Sequence, residues 1–113
     1  MKEFKPIDPK LLAAPFEYAK LVTYQEGSIV SRTIVDKGVG TVTVFAFDKG
    51  QKLSTHSAPF DALLQVVEGE GLITIEDADY PLKEPAVIIM PANKPHSVHA
   101  PQKFKMVLVM IRQ

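Results

Sequence analysis

After residue 16 the chain is a series of short apolar segments separated by Gly, Asp and Pro. The segments are rich in Val, Ile, Thr and Phe, which favour strands, and helical spacing is weak after residue 20. We predict a chain reversal at "GEG", residues 69–71, because Gly-rich dipeptides usually mark turns. The pattern predicts an all-β sandwich or barrel. Its predicted strands cover residues 17–23, 29–35, 41–47, 62–68, 72–76, 79–82, 86–90 and 104–111.

The first fifteen residues differ from the rest of the chain. They contain Pro6, Pro9 and Pro15 among charges of both signs. Proline interrupts both helices and central strands, so we predict a peripheral arm with one helical turn around residues 9–14. The barrel domain is then expected to span residues 16–113.

Two predicted strands, "AVIIM" and "MVLVMI", are continuously apolar instead of alternating. A strand with one wet face should alternate, so a continuous apolar run indicates burial on both faces. The second face could be covered by another sheet of the same chain, by the arm or by a second copy. We favour a homodimer to which the arm contributes. The alternative is that both strands lie between two sheets of a monomer.

Composition narrows the class of protein. The 113 residues suffice for one domain with its own core, and the composition is 46% hydrophobic and 23% charged, as in ordinary globular proteins. Thirteen basic and thirteen acidic residues cancel and form no basic block, so no nucleic-acid partner is expected. There is no cysteine, no apolar run of membrane length and no signal-peptide pattern at the start. These features favour a cytoplasmic protein without a membrane partner.

Candidate chemistry lies in two partial motifs. The first contains Gly50, His56 after five residues, and Gly69; the second contains Pro91 and His96 in "PANKPHSVH". At these spacings the chain, over roughly residues 40–111, is similar to the cupin superfamily. That resemblance implies a single-domain cupin barrel, also called a jelly roll, with the two motifs on neighbouring strands.

The same resemblance implies a metal site from which ligands are missing. Metal-binding cupins use two histidines and a glutamate from the first motif and one histidine from the second. His56 and His96 stand at two of these positions, and Ala58 and Ala62 replace the other histidine and the glutamate. Asn93 stands where the second motif has glycine, a mild departure because Asn tolerates a left-handed backbone. Pro85 replaces the motif's first glycine.

Two imidazoles with water would hold a divalent metal only weakly, since stable sites usually have three or four protein ligands. Period-two geometry places residues 56 and 58 on one face of a strand. Three nearby side chains are candidates for a further ligand. In order of preference they are Asp61, which could turn inward at a bulge, His99 and Gln65, although an ordinary solvated or hydrogen-bonded role is the better interpretation for each.

The two alanines also leave space inside the predicted barrel. We expect a pocket for a small organic ligand, lined by Ala58, Ala62, Leu64, Val66 and Val98, with an imidazole at its floor. The first functional hypothesis is therefore a ligand-binding cupin with, at most, a weakly held metal. The alternative is a metal-dependent enzyme of dioxygenase or isomerase type acting on a small organic molecule.

Overall fold

The computed structural model describes residues 6–112, and the regular secondary structure of this part of the chain is almost entirely antiparallel strand. Two short 3-10 helices, Pro9–Leu11 and Tyr18–Lys20, precede them. The all-β prediction is confirmed. The strands in this part are β1 (Ile29–Lys37), β2 (Gly40–Phe47), β3 (Lys52–His56), β4 (Asp61–Ile75), β5 (Ala78–Lys83), β6 (Val87–Met90), β7 (His96–His99) and β8 (Phe104–Ile111).

The longest strand, β4, belongs to both sheets of the barrel. Residues 61–69 pair with β8 on one side, and residues 62–65 pair with β6 on the other. Residues 70–75 pair with β5 and residues 72–75 with β7. β8 continues through β2 to the edge strand β1, and β7 continues to β3. The sheet therefore folds over along β4 and encloses an interior.

The predicted reversal at residues 69–71 is wrong, because the chain runs through it as a bend in β4. The ladder with β8 shifts register between Val66 and Glu68, and Gly69 has φ +77°. A Cβ on Gly71 would lie 2.6 Å from the ring of Phe104. These glycines therefore allow a bulge and a close approach to an aromatic ring, which are the other uses of Gly within strands.

The predicted strand at residues 17–23 is also wrong. Its place is taken by the 3-10 helix Tyr18–Lys20 and by irregular chain that leads to β1. Leu21, Val22 and Tyr24 pack against an apolar cluster on the outer face of β2 and β8. Residues 17–24 thus form a covering segment, whose apolar side chains are buried against the barrel. Local strand propensity does not distinguish such a segment from a strand.

The arm is held to the barrel by specific contacts. Its helical turn at Pro9–Leu11 agrees with the prediction, and the part of the predicted arm before residue 6 lies outside the described residues. Arg32 on β1 donates to Asp8 at 2.7 Å. Farther along, the Tyr24 hydroxyl donates to Glu68 at 2.5 Å, and the largely buried Lys105 donates to the Ala19 carbonyl at 2.6 Å.

Two strands escaped prediction, β3 and β7. Both are short, and β3 is mostly exposed, with the burial pattern of an edge strand. Neither has the apolar density that identified the other strands. They matter here because each ends or begins at a motif histidine.

The core lies between the sheets and is built around two stacked rings. Phe47 and Phe104 are fully buried with ring centroids 4.7 Å apart. Leu64, Val66 and Ile73 of β4 complete its centre. This packed region borders the internal cavity described below, and Leu64 belongs to both.

The two continuously apolar strands have different surroundings. On β8, Val107 is buried, and Val109 packs against the cluster that the covering segment completes. On β6, Val87 and Ile89 remain 50% and 61% exposed. Burial on both faces is therefore correct for much of β8 and wrong for β6 within one chain.

Candidate functional site

The two motif histidines are direct neighbours across the β3–β7 ladder. The register pairs His56 with His96, and their ring centroids lie 4.5 Å apart at an interplanar angle of 66°. His96 is only 7% exposed, whereas His56 is an exposed residue. The pair therefore runs from the interior of the barrel to its rim.

Each imidazole is oriented by a backbone carbonyl two residues earlier in the chain. His56 Nδ1 lies 3.0 Å from the Ser54 oxygen, and His96 Nδ1 lies 3.2 Å from the Lys94 oxygen. A carbonyl oxygen only accepts, so Nδ1 carries the proton in both rings. In the neutral form, Nε2 of each ring is consequently the nitrogen with a free lone pair.

Burial changes the protonation behaviour of the inner ring. The pKa of His96 is lowered from its usual value near 6.5, chiefly because burial disfavours the charged form. Its hydrogen bond to the Lys94 carbonyl acts in the opposite direction, and repulsion by His56 adds to the lowering. His96 is therefore held in its neutral form near pH 7.

The rings border a cavity of about 250 Å³ inside the barrel. None of the lining residues carries a formal charge when the histidines are neutral, and the remaining side chains are apolar. The lining consists of Phe45, Leu53, His56, Ala58, Phe60, Ala62, Leu64, Met90, His96, Val98, Met106, Leu108 and Met110.

Most of the predicted pocket residues lie at this cavity, with two corrections. Ala58, Ala62, Leu64 and Val98 line it, whereas Val66 is fully buried in the core and does not. Ala58 lies in the loop after β3 and not on the strand with His56, so the period-two argument fails there.

The loop is positioned by the second motif. The backbone N–H of Asn93 donates to the Ala58 carbonyl at 2.7 Å, and Asn93 has φ +65°. Asn93 therefore adopts the left-handed backbone for which the family uses glycine at this position. This contact holds the two motifs in register at the mouth of the cavity.

The three candidate additional ligands do not join the histidine pair. Asp61 is exposed and accepts from the Ala92 amide at 2.8 Å, so it fixes the "PANKP" turn. Gln65 donates to the Pro85 carbonyl at 3.3 Å. His99 lies three residues beyond His96 on β7 and pairs with Lys52. None of the three lines the cavity.

The side chains around the histidine pair supply too few ligands for a resident metal. Within residues 6–112, no group of three or more His, Asp or Glu side chains is placed to hold an ion. Two neutral imidazoles provide two ligands and no negative charge, short of the three or four that stable sites use. The residues present therefore do not fit a tightly bound metal, and metal binding by His56 and His96 stays a prediction.

Sequence reasoning missed several residues that shape the cavity. Ala62 on β4 pairs with Met90 on β6 and with Met110 on β8. The glutamate position of the family is thus flanked by two thioethers, and Phe60 and Met106 add further apolar surface. Only the register between distant strands brings these residues together, so no local signal would have found them.

Comparison with known proteins agrees with this architecture. The family model described as "Cupin domain" matches residues 34–112. A conserved protein of unknown function from Streptococcus pyogenes has a similar structure, with 33% identity and a TM-score of 0.87 over 100% of this chain and 96% of that one. A cupin superfamily protein from Desulfitobacterium hafniense has 23% identity and a TM-score of 0.86, covering 99% of this chain and 100% of that chain.

A cupin 2 conserved barrel domain protein from Leptotrichia buccalis is 39% identical, with a TM-score of 0.81. That match covers 83% of this chain and 46% of the longer relative. No curated protein matches the chain. Fold, motif positions and paired histidines together define a small β-barrel protein with an internal cavity. The chain belongs to the cupin family.

Proposed function

We propose that this cupin binds a small organic ligand in the cavity beside His56 and His96. The observation that supports the proposal is the cavity itself, whose lining is apolar except for the two imidazoles. Concave sites of this composition, with a few converging polar groups, are typical of small-molecule binding.

The size of the cavity limits the ligand. An apolar cavity of about 150 Å³ in a protein interior is sufficient for benzene. The cavity here is about 250 Å³. It therefore suits a molecule with one ring and a small substituent, whereas a nucleotide or a disaccharide would not fit inside it.

The proposal is tested by filling the cavity. Ala62→Leu adds an apolar branch at a lining position that is 4% exposed, and Ala78→Leu adds the same branch at an exposed position on β5. Toluene is the probe, and binding is followed by ligand-observed NMR and by thermal denaturation. We expect wild type and Ala78→Leu to bind toluene and Ala62→Leu to lose binding. Unchanged binding to Ala62→Leu, or a wild type that binds neither toluene nor a donor-bearing ring of the same size such as phenol, would overturn the proposal.

Metal binding and enzymatic catalysis form the second candidate function, after the binding of an organic ligand. The histidine pair supports weak binding of a divalent ion of undetermined identity, and the cupin positions of His56 and His96 favour this. The metal-dependent enzyme remains the alternative function, and the ring of His96, buried beside the cavity, is its best candidate for a proton-transfer group. Metal content of freshly purified protein distinguishes the two functions, since the enzyme requires about one equivalent.

We also infer a homodimer formed through the outer face of β6 and β4. Leu63 and Ile89 pair directly across these strands, and both are exposed, as is the neighbouring Val87. Stable dimers usually bury such apolar surface. Sedimentation should show a dimer for wild type and for the control Val39→Lys, which changes an exposed residue between β1 and β2, and a monomer for Ile89→Lys. A monomeric wild type at micromolar concentration would contradict the inference.

In the described part of the chain, no helix is long and apolar enough to cross a membrane. The cytoplasmic location and the lack of a nucleic-acid partner stay predictions from the sequence.

A further inference from the structure

The cavity offers its ligand hydrogen-bond acceptors and no donor. The proton on Nδ1 of each ring is engaged by a backbone carbonyl, at 3.0 Å for His56 and 3.2 Å for His96. Within residues 6–112, neither Nε2 atom takes part in a hydrogen bond to another protein group. Both neutral rings therefore have an unused acceptor at the edge of the cavity.

No other lining side chain changes this polarity. The remaining residues are Ala, Leu, Val, Phe and Met, so the lining contains no Lys, Arg, Ser, Thr, Tyr, Asn or Gln. A carboxylate or phosphate inside this space would face lone pairs without a cation or a donor, which is unfavourable in a desolvated site. While both histidines are neutral, the lining therefore disfavours an anionic ligand.

A ligand without a donor would leave the inner acceptor unpaired. His96 is only 7% exposed, so water reaches its ring poorly when the cavity is filled. A buried acceptor without a partner costs free energy, and a donating ligand removes that cost. The cavity therefore discriminates in favour of a neutral ligand that donates a hydrogen bond.

The apolar side chains of the cavity indicate the shape of the rest of the ligand. Met90, Met106 and Met110 line the cavity together with Phe45 and Phe60. Thioethers are polarisable and make favourable contacts with aromatic rings, and they adapt to irregular shapes. This lining is suited to a planar ring better than to a polar or branched molecule.

We propose that the ligand is a neutral single-ring molecule of the phenol class, whose hydroxyl donates to Nε2 of His96. This assignment rests on the proposed function, because it names the chemical class of ligand for the same cavity. The exposed position of His56 allows its Nε2 to accept from a second donor at the rim of the cavity.

Three probes of similar size test the assignment at pH 8, where histidine is mostly neutral. Phenol carries a donor, toluene has none and benzoate is an anion. In a purely apolar cavity toluene would bind tighter than phenol, because the hydroxyl would be desolvated without a partner. We expect phenol to bind about tenfold tighter than toluene, and benzoate to show no binding in calorimetry or ligand-observed NMR.

Variants assign the effect to the inner ring. His96→Phe removes the acceptor, so toluene should then bind as tightly as phenol or tighter, whereas the control His99→Phe should keep the preference for phenol. If His96→Phe does not fold, His96→Leu provides the same comparison. Failure of all three probes to bind wild type would overturn the proposed function itself. Binding of toluene with no preference for phenol, or binding of benzoate, would overturn this assignment alone.

Discussion

Restoring the two missing ligands should convert the cavity into a tight metal site. The double variant Ala58→His, Ala62→Glu places an imidazole and a carboxylate at lining positions next to His56 and His96. It raises the number of protein ligands from two to four and adds the negative charge that the wild-type site lacks. The Asn93–Ala58 contact should hold the loop in place for the new imidazole.

The cavity has room for the new side chains. Relative to alanine, histidine adds about five non-hydrogen atoms and glutamate about four, and a water molecule in the liquid takes about 30 Å³. If each added atom took as much space as a water molecule, the new atoms would need roughly the 250 Å³ of the cavity. Covalently bonded atoms take less space than that, so the side chains fit. We therefore expect overpacking to cost no more than about 1–3 kcal/mol of stability without metal.

The stabilisation that the variant gains from metal binding should offset the cost of overpacking. We expect binding of Zn²⁺ or Mn²⁺ to tighten at least about 100-fold, or roughly 2.7 kcal/mol. Metal at 100 times its dissociation constant then stabilises the fold by about 2.7 kcal/mol, which raises Tm by about 10 °C in a domain of this size. Calorimetric titration measures the affinity, and thermal denaturation with and without metal measures the linkage.

The matched control is Ala58→His, Ala62→Gln, which keeps the shape of the glutamate without its charge and should bind much more weakly. Tight binding of one equivalent by wild type would mean that Asp61, His99 or Gln65 supplies ligands, contrary to their positions in this structure. If neither wild type nor the glutamate variant binds, the two Nε2 atoms do not converge on one ion.

Three further predictions concern stability. Burial lowers the pKa of His96, so in mildly acidic solution the unfolded chain binds a proton that the folded protein does not, and the free energy of unfolding should fall as pH drops below about 6.5. Urea titrations from pH 8 to 5 should show this fall in wild type and a smaller fall in His96→Gln. An equal dependence of the unfolding free energy on pH in both proteins would contradict the role of His96. Gly71→Ala should lower the free energy of unfolding by about 1–3 kcal/mol, because the added Cβ clashes with the ring of Phe104. In the control Gly38→Ala the added Cβ has no atom within 4 Å, so the same urea assay should show a loss of less than about 1 kcal/mol. Equal losses in the two variants would refute the close approach of Phe104 to Gly71. Tyr24→Phe should cost about 1–2 kcal/mol by losing a hydrogen bond to a carboxylate, and an unchanged urea midpoint would show that this bond does not hold the covering segment.

The sequence by itself determined the class of fold and the position of the histidine pair. Short apolar segments between Gly, Asp and Pro predicted most strands, and "FKMVLVMI" has the predicted bounds, 104–111. Asn93 was expected to tolerate the left-handed backbone that it adopts. These features depend on local conformational preference and on fixed spacing, which are properties of the chain itself.

The tertiary structure decided what the same local signals meant. Gly69 and Gly71 indicated a turn, but the approach of Phe104 to β4 makes them a bend inside one strand. Residues 17–23 have strand-like composition, yet they pair with no strand and pack as a covering segment. In each case a long-range contact selected among conformations that the local sequence leaves nearly equal in energy.

The character of the cavity was decided in the same way. Met90 and Met110 lie far apart in the sequence, and only their register on either side of Ala62 makes them walls of one site. The free Nε2 atoms follow from contacts of Nδ1 with the carbonyls of Ser54 in β3 and of Lys94 in the turn before β7, which depend on the local backbone geometry. Sequence spacing can bring two imidazoles to one place, but the surrounding chain fixes the proton position and the space left beside them.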